Sequence, residues 1–391
     1  MKMIRRSIIP ILVGFFLLLG VGSSQAAVFV QCGDPGNTNA VCKHIAAGDG
    51  FITMGDGTVL YIFGFSDVAG STNPMVDGML AAQFTGPTVT LDEGDEFYLN
   101  LTNVGMVMRP DLFDPHTIHF HGFPQASNIF DGEPHGTMGI NMGATLTYYY
   151  NIVEPGTYMY HCHVEATEHM EMGMMANLYV RPKQNGTSIN GFTKFAYNDG
   201  DGSTGYHVEF PIQMGSMDRY FHEQHIAVQP LPFHLLKTSY PVLNGRGYPD
   251  TVNPGPLPPM PAEYGGKVSQ PVSSLITASP GQTILLRISN LNVIQDFTLA
   301  TLGIPMKVVG YNARLLRGPD PDGAGPLVGN NLYYTTNSIT LGSGETAEVI
   351  LDVPPSVASG TTYFLYTTNL NYLSNDQEDF GGMMTEIKIT N

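Results

Sequence analysis

Apolar, β-branched and aromatic residues come in short runs along this chain, and Gly, Pro, Asn and Asp break them at close intervals. That pattern predicts strands joined by turns. Thr88-Val89-Thr90-Leu91-Asp92-Glu93-Gly94-Asp95-Glu96-Phe97-Tyr98-Leu99-Asn100-Leu101-Thr102-Asn103 reads as strand, turn, strand, and Leu275-Ile276-Thr277-Ala278-Ser279-Pro280-Gly281-Gln282-Thr283-Ile284-Leu285-Leu286-Arg287-Ile288-Ser289-Asn290 repeats it. Pro155-Gly156-Thr157-Tyr158-Met159-Tyr160 pairs with Gly360-Thr361-Thr362-Tyr363-Phe364-Leu365-Tyr366, and Gly173-Met174-Met175 with Gly382-Met383-Met384. An internal repeat of this kind predicts two copies of one β-sandwich in tandem, and the length of 391 residues allows two domains.

The one long apolar run lies at the start. Lys2, Arg5 and Arg6 precede Ile8–Val21, and Ser24-Gln25-Ala26 offers a small-x-small cleavage site. Residues 1–26 are therefore expected to be a signal peptide, cut after Ala26 or Ala27, and the run is short for a membrane span. The protein is expected to be exported, to a periplasmic or extracellular compartment, without a membrane anchor. The expected organisation is 1–26 signal peptide, 27–183 first domain, and 184–391 linker plus second domain. In an exported chain, the closely spaced Cys32 and Cys42 are expected to form a disulfide, which leaves Cys162 unpaired.

Composition adds 45 Gly and 28 Pro, which suits an all-β protein rich in turns. There are 17 Lys and Arg against 34 Asp and Glu, a net charge of −17; removing Lys2, Arg5 and Arg6 takes it to −20. Such a surface argues against nucleic acid or anionic membrane as partner. It suits a cationic substrate or a basic redox partner.

The chemistry concentrates in two stretches. The first is His116-Thr117-Ile118-His119-Phe120-His121. The second runs from His161-Cys162-His163 through His169 to Met174. Thiolate, two imidazoles and a weak thioether are the ligand set of a blue-copper site. On extended chain, successive side chains point to opposite faces. Cys162 and His116 thus point inward, while His119, His121, His161 and His163 point outward together. Two metal sites back to back are expected, joined through Cys162, with the following loop returning His169 and Met174 to the inner one.

HxxHxH followed by HCH…H…GM resembles the signature of the multicopper oxidases, the family of laccases and related bacterial enzymes, with the copper nitrite reductases as two-domain relatives. That resemblance implies two cupredoxin-like Greek-key β-sandwich domains and copper as cofactor. It implies a type 1 copper on His116, Cys162, His169 and Met174. It also implies type 2 or 3 copper on His119, His121, His161 and His163, a site that two chains can share. The second copy reads Thr367-Thr368-Asn369 after Tyr366, and Val293–Leu299 is its expected counterpart of the HxxHxH strand. Neither holds Cys or His, so the second domain resembles the metal-free middle domain of three-domain relatives and Met383 is expected to pack in its core.

The expected function is a copper oxidoreductase. A donor (a metal ion, a phenolic compound or a redox protein) would reduce the inner copper, and Cys162 with His161 and His163 would lead to a second site that reduces dioxygen or a similar small acceptor. The alternative is an electron carrier with the inner copper alone. The family's three-metal cluster takes histidine pairs from two domains, and this chain offers one domain's worth. A homo-oligomer, or pairing with another cupredoxin domain, is therefore expected to complete it. His222 and His225 form an HxxH between the domains that could bind metal, and a polar role at the surface or between the domains is the reading preferred over a ligand role. His44, His135, His207 and His234 are read the same way, and the abundant Met as core filling.

Overall fold

The computed structural model describes residues 40–318 and 329–391. The signal segment and Cys32, and with it the expected bond from Cys32 to Cys42, lie outside the described residues. No helix among the described residues is long and apolar enough to cross a membrane.

The first half supplies β1 (Ala40–Thr53), β2 (Val59–Asp67), β3 (Val89–Asp92), β4 (Glu96–Gly105), β5 (His119–His121), β6 (Thr145–Asn151), β7 (Gly156–His161) and β8 (Met175–Arg181). They form two four-stranded sheets, ordered β2-β1-β4-β6 and β3-β8-β7-β5. Both sheets turn their apolar residues into one core, where Phe97, Leu99 and Tyr150 of one meet Phe120, Tyr158, Tyr160 and Leu178 of the other. Phe120 stacks on Tyr150 with centroids 4.2 Å apart. Strands of this composition form because aromatic and β-branched side chains fill a pleated, half-buried face well.

The second half supplies β9 (Val208–Met217), β10 (Tyr240–Leu243), β11 (Ile276–Ala278), β12 (Thr283–Asn290), β13 (Phe297–Leu302), β14 (Met306–Tyr311), β15 (Arg314–Leu315), β16 (Tyr334–Thr336), β17 (Ser338–Leu341), β18 (Thr346–Asp352), β19 (Thr362–Thr367) and β20 (Met384–Ile389). Its sheets run β10-β9-β12-β18-β14-β15 and β11-β20-β19-β13-β17. The leading four strands of each repeat the order of the first half, and β14 to β17 are additions. The all-β, cupredoxin-like architecture expected from the sequence is what forms.

Polar contacts join the halves. Glu348 accepts from the Thr157 amide at 2.7 Å, and Thr346 donates its hydroxyl to the Thr157 carbonyl at 2.9 Å. Arg287, fully buried, reaches Thr157 Oγ1 at 3.2 Å and the Glu209 carboxylate at 2.9 Å. A buried guanidinium needs such partners, since its desolvation is otherwise uncompensated. The effect is to fix β7, which carries the metal motif, against β12 and β18.

Candidate metal centre

The first sheet places the two histidine stretches side by side. In the β5–β7 pairing His119 stands opposite His161 and His121 opposite Met159. Regular strand covers less of each stretch than parity alone suggests. His116 sits before β5 in an isolated bridge to Ile140, and Cys162 follows the end of β7, its amide donating to the Met174 carbonyl at 3.1 Å. The extended backbone keeps the alternation across both breaks.

Facing inward, His116, Cys162, His169 and Met174 are all fully buried. Cys162 Sγ lies 3.8 Å from His116 Nδ1 and 3.2 Å from His169 Nδ1. The three donor atoms fall within 4.8 Å of one another. The spacing from His163 to His169 is taken up by a short helix, Ala166–Glu171, which ends with the Met174 amide donating to the His169 carbonyl at 2.8 Å. Burial by itself would push the Cys162 thiol up. The His169 charge and hydrogen bonds from His116 and His169 bring it down instead, to about 5. Burial would push His169 down, but the Cys162 thiolate and the Asp114 carboxylate hold it up at about 10. This is a thiolate caged by imidazoles, the donor set that a soft, redox-active copper takes.

Facing outward, His119, His121 and His161 bring their donor atoms within 4.8 Å of one another. His163 joins them, its ring centroid 4.9 Å from that of His119 and 5.4 Å from that of His161. Two of these rings are oriented from behind. His119 Nδ1 donates to the Asp131 carbonyl at 2.7 Å and His161 Nδ1 to the Cys162 carbonyl at 2.8 Å, which leaves each Nε2 as the free donor. His161 Nε2 is 3.4 Å from His121 Nδ1. Burial lowers the pKa of His119 and His121, and that of His161 to about 3, aided by the neighbouring rings. These three imidazoles are therefore neutral at neutral pH and hold lone pairs for a metal. Both sets fit copper by their chemistry.

Several residues around the inner set carry no signal in the sequence pattern. His169 Nε2, fully buried, lies 3.3 Å from the Asp114 carboxylate without hydrogen-bond alignment. Asp114, Glu165 and His169 bring a second trio of donors within 4.8 Å, on the side where Glu165 is exposed. The HxxH between the halves is buried on the helix Arg219–Ile226 rather than at the surface. His225 Nε2 is 2.8 Å from the Glu168 carboxylate, its Nδ1 is 3.1 Å from an Arg109 nitrogen, and its ring meets Phe63, which meets His169. A guanidinium only donates, so Nδ1 accepts and the proton sits on Nε2. His225 thus ties the loop carrying Arg109 and His116 to the helix carrying Glu168 and His169. His222 sets Nδ1 2.6 Å from the Tyr61 carbonyl and Nε2 3.1 Å from that of Glu171, and its neutral ring donates to one of the two.

The second half occupies the equivalent positions without donors, in a different register from the one its sequence suggests. Tyr366 pairs with Met384 as His161 pairs with Met175, and the Thr367 amide meets the Met383 carbonyl as the Cys162 amide meets that of Met174. Phe297 faces Leu341 where His116 faces Ile140. Tyr366, Thr367 and Thr368 therefore stand for His161, Cys162 and His163. Phe297, not Val293, opens the counterpart of the histidine strand. Side-chain likeness of two tyrosines misleads by one place; backbone pairing decides. Met383 is fully buried in the apolar core, as expected.

Comparison with known proteins agrees. Residues 70–185 match the family model described as multicopper oxidase. The chain is 33% identical over 130 residues to multicopper oxidase MCE of Talaromyces pinophilus, covering 33% of this chain and 19% of that protein. It is 26% identical over 294 residues to putative laccase-9 of Oryza sativa subsp. japonica, covering 72% and 40%. The matched part thus spans about a fifth to two fifths of these relatives' length. Among solved structures, a blue copper oxidase from Nitrosomonas europaea aligns at TM-score 0.64 and 20% identity over 90% of this chain and 86% of that one. A copper nitrite reductase from the same organism aligns at 0.57 and 17%, over 90% and 94%.

Proposed function

The chain belongs to the multicopper oxidase family, a copper-dependent family of oxidoreductases, and from that premise we propose that its first half works as a two-site copper oxidase. One observation carries this reading: Cys162 faces one donor set while its chain neighbours His161 and His163 belong to the other. The shortest link between the sets is three consecutive residues.

Copper, when bound, supplies one-electron redox chemistry at the inner set and reduction of a small acceptor such as dioxygen at the outer one. The chain supplies the rest. Cys162 gives a thiolate already ionised by His169 and His116. The fully buried inner pocket excludes water, and Phe63, Tyr61 and the His225 bridge hold the ligand loops. Donors are proposed to approach at the Asp114 and Glu165 edge of His169, where the acidic surface favours a cationic metal ion or a basic redox protein over a neutral phenol. His119, His121 and His161 are proposed to hold metal within one chain, with sharing between two first halves as the route to a three-metal cluster. The compartment proposed is outside the cytoplasm, on the leader sequence.

Oxygen uptake and visible absorption of the copper-loaded protein test this together. His121→Ala should lose most oxygen uptake while keeping the colour. Equal uptake in both proteins would contradict a role for the outward set. A coloured wild type that consumes no oxygen with any donor class would favour the electron-carrier reading, for which the complete inner set is the supporting observation.

A further inference from the structure

The inward face of β1 carries a carboxylate where an apolar side chain would serve. Asp49 alternates there with Ala47 and Phe51, and on β2 Phe63 stands opposite Asp49 and Tyr61 opposite Phe51. Asp49 is fully buried, and its Oδ1 has no hydrogen-bond partner. A carboxylate is costly to bury in this way. Its Oδ2 accepts from the Tyr61 hydroxyl at 3.0 Å and from the Met108 amide at 2.8 Å. Burial raises the Asp49 carboxyl above its ordinary value, which makes it a better proton acceptor. Tyr150, Tyr158 and Tyr160 of the same core donate instead to the backbone carbonyls of Phe130, Glu154 and Pro87, which take no proton. Tyr61 also belongs to a row of rings that starts at the inner donor set. From His169 the row runs through Phe63, Tyr61 and Phe51 to Tyr264, with successive centroids 5.7, 5.7, 5.5 and 4.7 Å apart. His169, Phe63, Tyr61 and Phe51 are buried, and Tyr264 is partly exposed.

We propose that Tyr61 is a redox relay between the inner donor set and the surface, with Asp49 as the base that takes its proton. The proposal rests on the reading of His116, Cys162, His169 and Met174 as a copper site. The oxidant is peroxide, which gains two electrons and two solvent protons to become two waters. With one electron left in the metal sites, the second must come from the chain. Tyr61 supplies it: its O–H bond breaks, the proton passes to Asp49 Oδ2, and the electron passes through Phe63 to His169. The tyrosyl radical is repaired by one electron from a thiol or enediol reductant at the Tyr264 edge, while Asp49 returns the proton. The relay thus draws the missing electron from Tyr61 rather than from Cys162, whose thiolate would otherwise climb the oxidation ladder.

Hydrogen peroxide is the probe. Copper-loaded protein is reduced with ascorbate, freed of the excess, mixed with surplus peroxide and freeze-quenched. The organic radical is then read by electron paramagnetic resonance beside the copper signal. Ring-deuterated tyrosine in the chain should narrow that signal, which assigns it to tyrosine. Tyr61→Phe keeps the ring and should lose the signal, with blue absorption kept and more oxidation of Cys162 by mass spectrometry. Asp49→Asn keeps an acceptor for Tyr61 and Met108 but takes no proton. Its radical should form about a hundredfold more slowly, the scale of a positioned base. Tyr160→Phe, in the same core without a carboxylate partner, should match the wild type. A radical of wild-type size in Tyr61→Phe, or of wild-type rate in Asp49→Asn, would overturn the relay. A blue wild type that forms no tyrosine radical would overturn it too, while leaving the inner copper site standing. A colourless wild type would overturn that site, and the relay with it.

Discussion

Two sandwiches of one chain share a strand order and differ in what fills the same places. Where the first half has His116, Cys162 and Met174, the second has Phe297, Thr367 and Met383, all buried. Where the first presents His119, His121 and His161, the second presents Ala300, Leu302 and Tyr366. The helix that delivers His169 has no equivalent: after Thr367 comes only the short turn Leu370–Tyr372, and Tyr372 meets Phe297 edge to face. The fold thus does not require donors at these positions. An apolar ring fills the inner place as well as an imidazole. What a metal site needs beyond the sandwich is a thiolate, a returning loop and partners that orient each imidazole.

The largest expected effect comes from making the first half resemble the second. Cys162→Ser should abolish the intense visible absorption of the copper-loaded protein, because that band needs a copper–thiolate bond. Retained colour would assign the band elsewhere. The reverse graft, Phe297→His with Thr367→Cys, should give no blue centre, because no second imidazole returns there. It should cost about 2 kcal/mol or more in denaturant unfolding, for polar groups buried without partners. A blue second half would show that the loop is dispensable.

Removing the bridge to the linker is expected to act next. His225→Leu leaves Arg109 and Glu168 without their shared partner and should destabilise by about 2 kcal/mol. It should also alter the paramagnetic resonance signature of the inner copper, which a purely distant packing defect would leave alone.

The most gradual effect is a slope. His161 has a folded pKa of about 3, below the ordinary 6.5 that its unfolded form would show. As pH falls through that window the unfolded chain takes the proton first, so the metal-free protein loses stability from about pH 6.5 down to about 3. His161→Gln should flatten this fall by roughly 1 kcal/mol per pH unit; an unchanged slope would place the titration elsewhere.

Much of this contrast was legible in the sequence. Parity alone sorted His116 and Cys162 from His119, His121, His161 and His163, because extended backbone leaves a side chain two choices of face. The repeat was visible because strand and turn residues recur in order. Its register was not: Tyr160 and Tyr366 look equivalent, and only hydrogen bonding shows Tyr366 in the place of His161. Contacts between distant segments were also hidden. Nothing in HxxH says that His225 will meet Glu168 and Arg109, and nothing in Gly342-Ser343-Gly344 says that it will close on His121. Such contacts depend on how two sandwiches dock, which local pattern does not encode.

Copper atoms per chain in the fully loaded protein test the central claim most directly, counted alongside the fraction that is blue. Two donor sets in the first half and none in the second should give one blue copper per chain plus a non-blue remainder. The total should be about two if the outward set works alone, or about 2.5 if two first halves share a three-metal cluster. A total of about one, all of it blue, would contradict the second site and leave the chain an electron carrier.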